Sequence, residues 1–108
     1  MKIKVDKSDL QKGIQVVGNI ITSKNMLPIL SNILFETQKN KIKLTTTDLD
    51  IGMAYTMEAE IIEPGALTIP TKRLNDVMKE LSGGVATLAT KKNNIVEIQS
   101  DNCEFKLM

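Results

Sequence analysis

A chain of 108 residues with 42% hydrophobic and 25% charged side chains reads as one globular domain able to bury a single modest core. Its 14 Lys+Arg against 13 Asp+Glu leave a formal net charge of +1, so the whole-chain charge does not draw it to nucleic acid. With no His and a lone Cys103, the sequence excludes His-dependent nucleophilic catalysis, His-based zinc sites and an internal disulfide.

Residues 2–6, KIKVD, alternate charged and apolar side chains, which predicts a strand with Ile3 and Val5 on one face. Ser8 is the expected N-cap of a helix running to about Thr22, with Asp9 in its first turn. Leu10, Ile14, Val17 and Ile21 supply the apolar stripe, at spacings of four, three and four. Ser8, Lys12, Gln15, Asn19 and Thr22 form a polar stripe free of acidic residues. Gly13 and Gly18 each lower helix propensity by about 1 kcal/mol relative to Ala. Packing must therefore hold this helix, and its small residues let it approach a sheet. Ser23-Lys24-Asn25 reads as a loop and Pro28 forbids an uninterrupted helix beyond it. Strands follow at 30–37, 41–47 and 51–60, joined by a hairpin turn at Gln38-Lys39-Asn40-Lys41 and a connection at Asp48-Leu49-Asp50. Glu63-Pro64-Gly65 is the strongest turn signal, with Pro and Gly placed as a type II turn requires.

The second half repeats this order. Residues 65–70 form a short strand, and Thr71 is the expected cap of a helix with Leu74, Val77, Met78 and Leu81 at i, i+3, i+4 and i+7. Gly83-Gly84 stops that helix, and strands at 85–91, 95–99 and 103–108 complete the chain. The pattern is strand, helix, three strands, twice over. It predicts an α+β domain in which the two halves pair edge to edge, with both helices on one face of the sheet. The eight apolar helix residues named above are its expected core. The N-terminus lacks a signal-peptide pattern and no apolar run could span a bilayer, so a cytoplasmic location is expected.

Little in the sequence points to catalysis. Asp48 and Asp50 form a close carboxylate pair, but a hard-cation site needs more oxygen ligands, and Asp in a turn normally caps its own backbone. Cys103 shares a strand face with Phe105 and Leu107, which predicts a buried, inert thiol. Gly83-Gly84 belongs to no phosphate-binding loop, and one Tyr with two Phe offers almost no stacking platform for bases. The charge is unevenly spread, however. Segments 7–24 and 72–80 carry six basic and three acidic residues, and the remainder eight basic and ten acidic, so +3 stands against −2. Lysines on a solvated helix face usually serve solubility. A face of Lys, Gln, Asn, Ser and Thr can also contact phosphate oxygens without reading bases.

Three stretches in order, LPILSNILFE (27–36), LTTTDLDIGM (44–53) and EPGALTIPTKRLNDVMKEL (63–81), closely resemble the first domain of the bacterial DNA polymerase III beta subunit, the replicative sliding clamp. The opening KIKVDKSDLQKGIQ resembles the start of that family too, and the similarity covers essentially the whole chain. The resemblance implies a DNA-clamp domain, residues 1–108, the first of three in a longer subunit. It implies a non-catalytic processivity factor: a homodimeric ring closed around duplex DNA that tethers the replicative polymerase, with helices lining the hole and sheets forming the rim. No cofactor, metal ligand or catalytic residue is implied. DNA polymerase III and the clamp loader are expected to bind through domains outside this chain, and no membrane partner is implied. An alternative is a stand-alone clamp-fold interaction domain that forms no ring; a small nuclease or nucleotide enzyme is disfavoured by the missing His and acidic cluster. By resemblance, the expected DNA-binding residues are Lys24 first, then Lys12, Lys72 and Arg73. Phe105 and Leu107, on the closing strand, are the expected subunit-interface residues.

Overall fold

Period-two alternation of apolar and polar residues governs most of the architecture, and it is interrupted twice by the 3.6-residue period of a helix. A computed structural model describes residues 1–18, 32–47, 51–81, 84–101 and 103–107. In chain order these form β1 (Lys2–Asp6), α1 (Lys7–Gly18), β2 (Asn32–Gln38), β3 (Lys41–Thr47), β4 (Gly52–Glu58), β5 (Glu60–Glu63), β6 (Ala66–Pro70), α2 (Thr71–Glu80), β7 (Val85–Lys91), β8 (Ile95–Ser100) and β9 (Cys103–Leu107). The predicted α+β class and the twofold element order are both present. Ile21, Lys24, Asp48 and Asp50 lie outside the described residues.

The expected single sheet is in fact two, ordered β5-β1-β7-β8-β9 and β4-β3-β2-β6, with every neighbouring pair antiparallel. The halves exchange their leading strands: β1 extends the sheet of β7, β8 and β9, while β6 extends that of β2, β3 and β4. A strand, a helix and a second strand in one sheet would leave the two strands parallel. Sending the second strand to the other sheet keeps all pairing antiparallel. The predicted 51–60 strand divides at Ala59 for a related reason. β4 has paired with β3 as far as Lys41↔Glu58, where β3 begins. Ala59 then donates its N–H to the Asn40 carbonyl (3.2 Å), and β5 crosses to pair with β1 at Lys4↔Glu60 and Ile3↔Ile61.

One core joins both sheets and both helices. Leu10, Ile14, Val17, Leu74, Val77, Met78 and Leu81 are all buried as predicted, together with Ile3, Ile33, Phe35, Leu44, Ile69, Leu88 and Ile98 from the strands. α1 packs on β1, β3 and β4 and against α2, which also meets β6. Gly13 explains how closely α1 lies on its sheet. A Cβ there would come within 2.5 Å of Met57 Cε, 3.0 Å of Tyr55 Cδ1 and 3.1 Å of Leu44 Cδ1.

The structure corrects both predicted helix caps. Asp6, not Ser8, caps α1: its Oδ1 accepts the Asp9 N–H at 3.0 Å. Pro70 occupies the N-cap of α2 without a side-chain bond, and Thr71 is instead the first helical residue. At the Pro64-Gly65 turn, Gly65 has φ +156° instead of the roughly +80° of a type II turn. Thr37 pins it there, its Oγ1 accepting the Gly65 N–H at 2.8 Å and its backbone N–H donating to the Gly65 carbonyl at 3.0 Å.

Candidate functional site

Apart from Lys24, which lies outside the described residues, the expected site residues fall on the helix pair and on the edge strand β9. The helices run antiparallel. The start of α1 meets the end of α2 where Lys7 Nζ donates to the Leu81 carbonyl, and the end of α1 meets the start of α2 where a Cβ on Gly18 would lie 3.6 Å from Thr71 Cγ2. Between them runs a groove of about 230 Å³ with Ile14 and Met78 in its lining and Gln11, Gln15, Asn75 and Lys79 around it. Burying one stripe of each helix turns the other outward. Ser8, Lys12 and Gln15 on α1 and Lys72, Arg73, Asn75 and Lys79 on α2 are therefore exposed.

Lys12, Lys72 and Arg73 are thus all exposed on the helix pair, with Arg73 on the flank of α2 that faces β9. None of the three is in an ion pair among the described residues. Lys72 and Arg73 stand in the first turn of α2, which contains no acidic residue, where the helix dipole disfavours cations. The opposite, outer face of the β7-β8-β9 sheet is different. There Glu97 lies 3.7 Å from Lys91 and 4.0 Å from Lys106, and Lys106 also reaches Glu104 at 3.9 Å, so cation and anion alternate across the strands.

Among the described residues, β9 pairs only with β8 and ends its sheet. Phe105 and Leu107 face inward, half-buried against the core, yet both also line a groove of about 430 Å³ beside α2 with Arg73, Asp76, Val77, Lys79 and Glu80. Cys103, on the same side, is half-buried and not buried as expected, its Sγ 3.9 Å from the Glu80 carbonyl. The α2 side of this groove escaped the sequence reading, because Asp76, Val77 and Glu80 approach β9 only through the tertiary fold. Among the described residues, no group of three or more Cys, Asp or Glu side chains could hold a metal ion, and no helix is long and apolar enough to cross a membrane.

Comparison with known proteins places this geometry. The family described as DNA polymerase III beta subunit, N-terminal domain, matches residues 1–108. The chain is 36% identical over 91 residues to the beta sliding clamp of Synechocystis, covering 82% of this chain and 23% of that protein. It is 27% identical to the Chlamydia pneumoniae beta sliding clamp, over 100% of this chain and 30% of the relative. Among solved structures, the Bartonella birtlesii sliding clamp superposes with a TM-score of 0.90 at 30% identity, covering 99% of this chain and 29% of that one. A Caulobacter crescentus beta sliding clamp gives 0.91 at 28% identity, over 100% and 29%. The chain thus spans less than a third of the length of these relatives. With the family matched from the first residue to the last, this chain belongs to the DNA polymerase III beta subunit family, as its N-terminal domain.

Proposed function

We propose that the chain is the first of three similar domains of a ring-forming clamp subunit, and that its helix face lines a hole occupied by duplex DNA. The observation that carries this reading is that Lys12, Lys72 and Arg73 are exposed on an antiparallel helix pair and form no ion pair among the described residues. The neighbouring Gln15 and Asn75 add neutral hydrogen-bonding groups. Such a surface holds phosphate oxygens by charge and reads no base edges, which suits a protein that must slide. Lys24, outside the described residues, joins this set on the family resemblance alone. The clamp is cytoplasmic and non-catalytic, tethering the replicative polymerase, and polymerase and clamp loader engage domains outside this chain.

The edge of β9 that is unpaired among the described residues, with Phe105 and Leu107 beside it, is the surface through which two subunits close the ring. Unpaired strand N–H and C=O groups give a partner strand its hydrogen bonds, and half-buried apolar side chains give it a seat. The reading is tested in the full-length subunit by Lys24→Glu. Binding to every duplex sequence should weaken alike while sedimentation still reports a dimer. Weakening confined to particular sequences would contradict phosphate tracking.

A further inference from the structure

Two bonds fasten the start of α1 to the exit of α2. Half-buried Lys7 donates its backbone N–H to the Gly84 carbonyl at 2.8 Å, and its Nζ donates to the Leu81 carbonyl. Leu81 is the C-cap of α2, its own N–H bonded to the Val77 carbonyl. Carbonyls at a helix C-terminus lack intrahelical donors and carry the negative end of the dipole, so an ammonium there is donor and countercharge together. At the opposite end, among the described residues, no hydrogen bond joins α1 to α2: a Cβ on Gly18 would lie 3.6 Å from Thr71 Cγ2, and Thr71 Oγ1, buried, has no hydrogen-bond partner. Among the described residues, the polar bonds between the two helices thus lie at the end where α1 begins and α2 stops.

We infer that Lys7 is a positioning residue: by holding the first residue of α1 on the C-cap of α2 it sets the angle between the helices, and so the placement of Lys12 relative to Lys72 and Arg73. The inference rests on the assignment of that face to DNA. It also removes Lys7 from the phosphate-contacting set, because its ammonium is committed to Leu81. Three measurements test it. In the unaltered chain, a scalar coupling across the hydrogen bond from Lys7 Nζ to the Leu81 carbonyl carbon should be visible by NMR; its absence would overturn the inference without any variant having to fold. Lys7→Met keeps the alkyl stem and removes the donor. Residual dipolar couplings of α1 and α2 should then report a changed or broadened interhelical angle, restored by Lys7→Arg, and couplings identical to the parent would overturn the inference. In the full-length subunit, Lys7→Met should lower duplex affinity by the same factor at every salt concentration, leaving the log–log slope intact. A slope flattened by about 0.9 would make Lys7 a phosphate contact and refute the positioning role. Failure of the DNA reading itself would appear elsewhere, as unchanged binding by Lys12, Lys72 and Arg73 variants while the Lys7 coupling persists.

Discussion

α1 and α2 hold equivalent places in the two halves of the chain, yet they begin in opposite ways. α1 starts under a carboxylate cap from Asp6, with Asp9 in its first turn, and its Gly13 lets it press onto β3 and β4. α2 starts directly from β6 at Pro70 with no side-chain cap, two cations in its first turn and a buried, unpartnered Thr71 hydroxyl. Both helices bury an apolar stripe in the same core, so packing is common to them and the difference is one of electrostatics. At the start of α1 the Lys7 and Asp9 N–H groups find acceptors within the chain, and Asp6 and Asp9 suit the dipole. The start of α2 sets two cations against the dipole, with no ion pair to either among the described residues.

Substitutions can break this comparison, beginning with the largest effect. Gly13→Leu should destabilise the chain by about 1–3 kcal/mol or more through overpacking against Met57, Tyr55 and Leu44, read as a fall in the denaturant midpoint. Thr71→Val should instead stabilise by about 1 kcal/mol, since it removes a buried hydroxyl that bonds nothing; a loss of stability would mean that the hydroxyl has a partner. Asp6→Ala should cost about 1 kcal/mol through loss of the cap, whereas Ser8→Ala should stay within about 0.5 kcal/mol. Equal costs for these two would put the cap back on Ser8. The smallest expected effect is the most telling about α2. Lys72→Glu should raise stability at low salt by about 0.3–1 kcal/mol by suiting the helix dipole, while it weakens duplex binding by the full-length subunit. A change that lowered stability and binding together would argue that Lys72 serves the fold.

Much of this was legible in the residues. Alternation located the strands, and the 3.6-residue stripes of both helices identified seven core residues that the structure buries. The break at Ala59 was not legible, because Met53, Tyr55, Met57 and Ala59 keep one unbroken alternation across it, and only the end of β3 decides where pairing changes. The exchange of β1 and β6 was hidden for a similar reason: alternation says which face a side chain takes and nothing about which strand lies beside it. Asp6 and Ser8 are both good cap residues two positions apart, so local sequence could not separate them. The bond from Lys7 to Leu81 joins residues 74 positions apart and leaves no local signature. For the site, the charge distribution along the sequence placed the positive charge on the helices, whereas the fold shows that Lys12, Lys72 and Arg73 form no ion pair among the described residues.

The salt dependence of duplex binding by the full-length subunit tests the central claim most directly. Replacing Lys12, Lys72 and Arg73 together by Gln should flatten the slope of log K against log salt by about 0.9 for each phosphate contact removed, or about 2.7 in all, for every duplex sequence alike. An unchanged slope with an intact ring would contradict the claim that this helix face tracks the DNA backbone.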